Sequence, residues 1–267
     1  ACEKLKEILE EKGERNVVLV DLSKEDWSEA VEDAFRYGKV VVASSTYNME
    51  IFTPMRNLLL NLKEKNYQAI VTHFGDLGSL KQLPGLAIQR LMEKGYGFGA
   101  EGDWKTAAMV RVMKIMTQGV KDAKGTSFME DYTYNLVPGK EGVLEAHMLE
   151  VCPSISQGPI AIKVNPLSMG DREDPARLVF TSKTGPAVAT SLIDLGNRFR
   201  LIINEVDCKT VEKPMPKLPV ATAFWTPRPN LAVGAQAWIL AGGAHHTAFS
   251  YDLSAEQMGD LAAAMGI

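Results

Sequence analysis

The amino-acid sequence predicts an α/β protein in which a doubly wound parallel sheet is followed by a mostly antiparallel β-barrel or β-sandwich. In the first part, short continuous apolar runs alternate with segments of helical periodicity, as in parallel strands covered by helices on both faces. After Gly119, short strand-like segments separated by glycine, proline and asparagine dominate, which is typical of antiparallel domains. We therefore predict two domains, residues 1–118 and 119–267.

Helices and strands follow one another regularly in the first predicted domain. Apolar side chains recur at helical spacing in the predicted helices, which are residues 3–12, 26–35, 54–62, 84–94 and 104–116. The predicted strands are the apolar runs at residues 16–21, 39–44 and 69–73. Gly95, Gly97 and Gly99 follow a helix and are predicted to form the turn that ends it. Predicted strands of the second domain include residues 160–164, 177–181, 201–206 and 220–225.

The composition narrows the range of partners and compartments. A net charge of −4 without a basic cluster argues against nucleic acid as a main partner, because phosphate binding needs a concentrated basic surface. No apolar run approaches the roughly 18 residues needed to span a bilayer, and we recognise no signal peptide. The three cysteines are scattered, without the spacing of a metal or disulfide motif. We therefore expect a cytoplasmic protein that binds neither nucleic acid nor membranes.

Acidic and histidine residues occur in markedly apolar surroundings at several places. Glu101 precedes a predicted helix, where an acid would also be explained by capping of the helix N-terminus. Glu130 lies beside bulky apolar residues, and His147 lies among aliphatic ones, where a histidine packed into the core is the ordinary explanation. His245 and His246 follow two glycines, which allow a backbone to approach a ligand closely.

Together these residues supply two carboxylates and two or three imidazoles, and no thiolate accompanies them. This donor set suits Mn²⁺, or less specifically Co²⁺, Fe²⁺ or Mg²⁺, and does not fit a structural zinc site. Four protein ligands on a six-coordinate ion leave about two positions for water or for neighbouring oxygens of a sugar. A carboxylate beside such an ion can move a proton between adjacent carbons, which interconverts an aldose and a ketose through an ene-diol.

From about residue 69 onward the chain resembles the L-arabinose isomerase family over long segments in the family's order. The matching segments are LKQLPGLAIQRLMEKGYGFGAEGDWKTAA, GTSFMEDYTY, AHMLEVCPSI, EDPARLVF, GPAVATSLIDLGNRFRLIINEV, PKLPVA and QAWILAGGAHHT. The resemblance implies four ligands for Mn²⁺ or another divalent ion: Glu101, Glu130, His147 and His246. It implies that the two glutamates also form the acid–base pair. Phe74 is implied to lie against the sugar, and His245 at the pocket edge.

The segment from Val42 to Arg56 is similar instead to the flavodoxin-like domain of flavodiiron-type proteins. In that family a Ser-Thr-Tyr-Asn loop lies beside the ring of FMN, and the matching residues here are Thr46, Tyr47 and Asn48. FMN itself is not expected, because the phosphate-binding loop that should precede the first helix is missing, so these residues are expected to be a remnant contact. The change of resemblance predicts a chimera with its junction near residues 68–70.

Three interpretations of function follow from the sequence. The first is a metal-dependent aldose–ketose isomerase of the L-arabinose to L-ribulose type, or its truncated catalytic fragment. The second is an FMN-binding, flavodoxin-like module for electron transfer. The third is an engineered, non-catalytic scaffold that joins two α/β fragments. In the first case the partner is a small-molecule sugar, and a homo-oligomer is also expected.

Overall fold

The computed structural model describes residues 2–14, 17, 66–75, 82–167, 172–212 and 215–267. The chain divides into two compact units, residues 1–67 with 79–82 and residues 68–78 with 83–267. In the first unit, helix α1 (Cys2–Glu11) confirms the helix predicted at residues 3–12. The other elements predicted before residue 63, and with them Thr46, Tyr47 and Asn48, lie outside the described residues. The doubly wound sheet therefore stays a prediction there.

The second unit begins with two parallel strands that are joined through a helix. Strand β1 (Ala69–Thr72) pairs in parallel with β2 (Gly97–Ala100). Helix α2 (Gly85–Glu93) lies between them in the sequence, and α3 (Trp104–Met116) follows β2. Because both strands run in the same direction, their carboxyl ends lie at one edge, which is where ligands bind in open α/β folds.

Strand β2 differs from the prediction of a helix-ending turn at Gly95, Gly97 and Gly99. Gly95 has the left-handed φ of +99° expected of such a turn, but Gly97 and Gly99 lie in a fully buried strand. A Cβ atom at Gly97 would overlap the carbonyl oxygen of Ala107, and one at Gly99 would overlap that of Asp103. The strand is glycine-rich because α3 lies directly against it. It consequently lacks the β-branched residues by which strands are recognised in a sequence.

The predicted antiparallel domain is a closed barrel of six strands, which confirms the barrel alternative of the prediction. In the order of pairing, the strands are β10 (His246–Ser250), β3 (Thr126–Asn135), β4 (Gly142–Ala146), β9 (Thr222–Pro227), β8 (Phe199–Lys209) and β7 (Gly185–Asp194). All neighbours are antiparallel, and β7 pairs with β10 to close the barrel.

Further elements lie outside the barrel. Strands β5 (Ala161–Val164) and β6 (Ala176–Val179) form a separate antiparallel pair near two of the predicted strands. A short 3₁₀ helix covers Pro153–Ile155. Helix α4 (Leu231–Ala241) precedes β10, and α5 (Ala255–Met265) follows it. In the part of the chain that the structure describes, no helix combines the length and apolar character needed to cross a membrane.

Alternation along the barrel strands separates two buried clusters. Met129 of β3 and Phe249 of β10 pack with Trp225 of β9 in the first cluster, inside the barrel. The neighbouring residues Phe128 and Ala248 belong to the second cluster, which includes side chains of α2 and α3. Successive side chains of a strand point to opposite faces. The same alternation therefore decides whether a polar residue of β3 or β10 points into the barrel or toward the helices.

Candidate metal centre

Glu101 lies at the carboxyl edge of the two parallel strands. It follows β2 directly, is exposed, and has a left-handed backbone with φ of +58°. The next residue, Gly102, donates its N–H to the carbonyl oxygen of Thr72 at 3.1 Å, which ties this turn to the end of β1. A left-handed backbone conformation costs about 1–3 kcal/mol at a residue other than glycine, and non-glycine residues in this conformation concentrate at functional sites. The backbone therefore holds the Glu101 carboxylate at this edge even though its left-handed conformation is energetically unfavourable.

The capping role that the sequence allowed for Glu101 belongs to Asp103. Its Oδ1 accepts a hydrogen bond from the backbone N–H of Thr106 at 3.1 Å, and its Oδ2 accepts one from the Thr106 hydroxyl at 2.6 Å. Asp103 thus begins helix α3 as its N-cap. With the helix end satisfied in this way, capping does not explain the carboxylate of Glu101.

His246 is the first residue of β10 and lies directly opposite Glu130 of β3. Its Nδ1 lies 3.6 Å from Oδ2 of Asp103, while its Nε2 is buried with no hydrogen-bond partner among the described residues. Burial would raise the pKa of Asp103, but the contacts with His246 and Thr106 outweigh burial and hold that pKa well below its usual range. A buried ring nitrogen without a partner is costly, and coordination of a metal ion would satisfy it.

His147 follows β4 and is oriented by a second carboxylate. Its Nδ1 lies 2.6 Å from Oε2 of Glu150, and its ring centroid lies 6.0 Å from that of His246. Burial lowers the pKa of His147, but the carboxylates of Glu150, Glu130 and Glu101 together raise it above its usual value. Three acidic side chains therefore act on this one imidazole.

The side chains that meet closely enough to share one ion are Glu101, His245 and His246. Within the described ranges, they form the group of carboxylate and imidazole ligands whose atoms all lie within 4.8 Å of one another. His245, which the resemblance placed at the pocket edge, has its ring centroid 4.2 Å from that of His246. Glu130 and His147 adjoin this group through His246, by strand register and by ring contact.

The donor chemistry fits a divalent metal ion. Histidine ligands of metals usually give their second ring nitrogen to a carboxylate, which fixes the ring and frees the other nitrogen. Here Nδ1 of His147 faces Glu150, and Nδ1 of His246 faces Asp103. In both rings Nε2 is left for coordination. The mixed oxygen and nitrogen set suits a metal of the manganese, iron or cobalt type.

Phe74 lies just beyond the carboxyl end of β1, at the same sheet edge as Glu101. Its half-buried ring stacks on His73, with centroids 5.1 Å apart. Thr72 is paired with Ala100 in the two strands, so the residues that follow them leave the sheet side by side. This placement is compatible with the wall position that the resemblance implied.

The orienting carboxylates Asp103 and Glu150 are the functional candidates that sequence reasoning missed. Glu150 follows His147 by three residues, and Asp103 follows Glu101 by two. Spacing of this kind was a usable signal for Glu150, because a turn after β4 brings positions three apart together. Asp103 meets His246 only through the tertiary fold.

Two family models match the chain. The model described as L-arabinose isomerase C-terminal domain matches residues 125–267, and the one described as L-arabinose isomerase central domain matches residues 16–119. The first match alone covers more than half of the chain. The chain belongs to the L-arabinose isomerase family.

Individual relatives named L-arabinose isomerase agree with this membership. The protein of Geobacillus stearothermophilus is 62% identical over 206 residues, which are 77% of this chain and 41% of that protein. The protein of Bacillus subtilis (strain 168) is 58% identical over the same length and shares. That of Clostridium beijerinckii is 57% identical over 206 residues. The chain thus spans about two fifths of the length of these L-arabinose isomerases.

The family match corrects the expectation of a chimera. The central-domain match extends from residue 16 to residue 119 and so includes the predicted junction at residues 68–70. The flavodiiron-like origin of the preceding segment is therefore not supported. Doubly wound α/β domains share alternating apolar strands and amphipathic helices, so a short sequence such as residues 46–48 does not distinguish their families. The interpretations of the chain as an FMN-binding module and as an engineered scaffold rested on that resemblance, so they are no longer supported.

Proposed function

We propose that the chain carries the metal centre of an aldose–ketose isomerase of the L-arabinose to L-ribulose type. The observation that carries the proposal is the convergence of two expected ligands, Glu101 and His246, in a group with His245 whose ligand atoms lie within 4.8 Å of one another. Membership of the family supports the reaction class. Because the chain spans 41% of the length of the Geobacillus stearothermophilus relative, catalysis by this chain is itself part of the proposal.

The proposed metal ligands are Glu101, Glu130, His147 and His246. Mn²⁺ is the expected ion, and when bound it supplies a positive charge that polarises a carbonyl oxygen and attracts neighbouring hydroxyl groups of a sugar. Glu150 and Asp103 hold the two imidazoles through their Nδ1 atoms. The buried Nε2 of His246, which has no partner among the described residues, supports this assignment.

Glu101 and Glu130 are the proposed acid–base pair. One carboxylate removes the proton from C2 of the aldose, and C1 receives a proton as the ene-diol becomes the ketose. A hydroxyl proton passes from O2 to O1 in the same conversion, so no atom is gained or lost. Glu101 is exposed at the sheet edge and Glu130 is half-buried opposite His246, which leaves one of the two open to an incoming sugar. Phe74 is proposed to contact the carbon skeleton.

The proposal is tested by titrating Mn²⁺ into the metal-stripped chain in a calorimeter and then adding L-arabinose. We expect one ion per chain, followed by formation of the ketose. Glu130→Gln should abolish both binding and turnover, since an amide is a poor substitute for an anionic ligand. Glu256→Gln removes an exposed carboxylate in the first turn of α5 and serves as the matched control.

Either of two results would contradict the proposal. Normal Mn²⁺ binding by Glu130→Gln would show that the ligand assignment is wrong. Absence of binding by the folded unsubstituted chain would show that these side chains do not form a metal centre in this chain. Binding without ketose formation would remove the catalytic part of the proposal and keep the metal site.

A further inference from the structure

Strands β3, β4 and β10 carry a second set of polar residues on the face opposite to the candidate metal centre. Asp131 follows Glu130 on β3 and is paired with Glu145 of β4. Thr247 follows His246 on β10. By strand alternation these three side chains point to the side of Met129 and Phe249, which belong to the buried cluster inside the barrel. The barrel interior therefore contains two carboxyl groups and a hydroxyl.

Two of these side chains are buried with few polar partners. Glu145 is fully buried, and its carboxyl group contacts that of Asp131, with no other hydrogen-bond partner among the described residues. Thr247 is 1% exposed, and its hydroxyl has no partner in the described part of the chain. A buried polar atom left unsatisfied costs about 1–3 kcal/mol, and an unpaired carboxylate costs more. Among the described residues, the Thr247 hydroxyl therefore lacks a partner, and the two contacting carboxyl groups lack a positively charged one.

A small cavity lies beside two of the three polar groups. It has a volume of about 30 Å³, and Asp131 and Thr247 contribute to its lining. One water molecule needs about 10–15 Å³ of cavity volume, so the cavity has room for roughly two water molecules. Asn204 and Tyr134 add two further oxygen donors to the lining, and the Tyr134 hydroxyl donates to Oδ2 of Asp131 at 2.9 Å. None of the described residues that line the cavity is basic.

We infer that this cavity is a second binding site, for a hard divalent cation of the Ca²⁺ type, held by the Asp131 carboxylate and the Thr247 hydroxyl that line it, with the paired Glu145 carboxylate adding negative charge beside Asp131. The donors are all oxygen atoms, which hard cations prefer, and the site lacks the imidazoles of the candidate metal centre. Two neighbouring carboxylates repel each other unless a cation or a shared proton offsets their charge. The inference does not rest on the proposed isomerase activity.

Tb³⁺ is a suitable probe, because it binds the same oxygen ligands as Ca²⁺ and luminesces when nearby aromatic side chains transfer energy to it. Trp225 and Trp238 line the cavity together with Tyr134. We expect saturable, tryptophan-sensitised luminescence in the metal-stripped chain, which Ca²⁺ displaces. Glu145→Gln should weaken Tb³⁺ binding at least ~10-fold, because the amide keeps the shape and removes the charge.

Two controls locate the signal. His246→Gln removes a proposed ligand of the candidate metal centre and should leave the sensitised luminescence unchanged. Thr247→Val is nearly isosteric, keeps both carboxylates and should weaken Tb³⁺ binding several-fold while the chain stays folded. The second variant decides the question if Glu145→Gln does not fold. Ca²⁺ should also raise the melting temperature of the unsubstituted chain more than that of Thr247→Val.

The inference is overturned if the folded chain gives no saturable luminescence, or if Glu145→Gln and Thr247→Val both bind Tb³⁺ as the unsubstituted chain does. In either case a shared proton offsets the charge of the two carboxyl groups. Glu145→Gln would then be neutral or stabilising, since the amide replaces a carboxyl that is already uncharged. Loss of the signal in His246→Gln would likewise overturn it, by placing the ion at the candidate metal centre.

Discussion

Glu130 and His246 lie directly opposite each other on the antiparallel strands β3 and β10, with both side chains on the outer face of the barrel. Their neighbours Asp131 and Thr247 point into the barrel. One pair of adjacent strands thus presents carboxylate and imidazole donors on one face and oxygen donors on the other. A shift of one residue in this register would exchange the two sets.

The carboxylate of Glu150 should control the metal affinity of the candidate centre through His147. Its Oε2 lies 2.6 Å from Nδ1 of that ring. Glu150→Gln keeps the size and weakens this charge-assisted contact, so we expect Mn²⁺ to bind about 10–100-fold more weakly. Calorimetric titration measures the change, with Glu256→Gln as the control. Unchanged affinity would mean that Glu150 does not orient the ring.

The types of donor in the candidate centre could be predicted from the sequence, but not which of them meet. Glu101, His147 and His246 are conspicuous because each is polar in an apolar neighbourhood. The contact between Asp103 and His246 joins residues that are far apart in the chain, and no local pattern encodes it. The pairing of Glu130 with His246 depends in the same way on strand register.

The fold was predictable where periodicity dominates and hidden where packing dominates. Helix α3 and strand β8 confirm segments that were recognisable from apolar spacing. Strand β2 was missed because the close approach of α3 leaves room only for glycine at alternate positions. Closure of the barrel depends on the pairing of β7 with β10, which are remote in sequence, so the choice between barrel and sandwich had to come from the structure.

Replacement of Gly97 by alanine should destabilise the chain strongly. The added Cβ would overlap the carbonyl oxygen of Ala107 and force α3 away from β2. Overpacking of this kind typically costs about 1–3 kcal/mol, and a rigid backbone neighbour places the expected cost at the upper end. Gly158→Ala is the control, because no atom lies within 4 Å of the position of its Cβ. Urea unfolding of both variants tests the contrast, and equal stabilities would contradict it.

The buried thiol of Cys208 should make the folded chain sensitive to alkali. Burial is the main cause that raises its pKa from 9.0 to about 12, against an opposing contact with Tyr251. The unfolded chain therefore loses this proton first as the pH rises, so the stability that the protonated thiol contributes is lost between pH 9.0 and about 12. The expected slope is at most ~1.4 kcal/mol per pH unit for one proton.

Cys208→Ser provides the comparison for this alkaline effect. The serine hydroxyl is close in size and does not ionise in this range, so the variant should lose less stability than the unsubstituted chain as the pH rises. The free energy of unfolding in urea, measured at several pH values, gives both slopes. Parallel curves for the two proteins would exclude Cys208 as a source of the sensitivity.

Gln89 should be among the most sensitive positions outside the candidate metal centre. It is fully buried in α2, and its amide nitrogen donates to the carbonyl oxygens of Val151 at 2.9 Å and Leu178 at 3.1 Å. Its amide oxygen accepts the N–H of Leu178 at 2.7 Å. Gln89→Leu would leave these backbone groups buried without partners, at a cost of about 1–3 kcal/mol for each group.

We therefore expect Gln89→Leu to lower the free energy of unfolding by at least about 3 kcal/mol, whereas Gln236→Leu on the exposed side of α4 should change it by less than about 0.5 kcal/mol. A second effect follows, because Val151 adjoins Glu150, the residue that orients His147. Loss of the bond from Gln89 to Val151 frees this segment, so Mn²⁺ affinity should fall in the variant while it is still folded. A destabilised variant with unchanged affinity would confine Gln89 to a structural role, and unchanged stability would show that its buried hydrogen bonds are replaced by water.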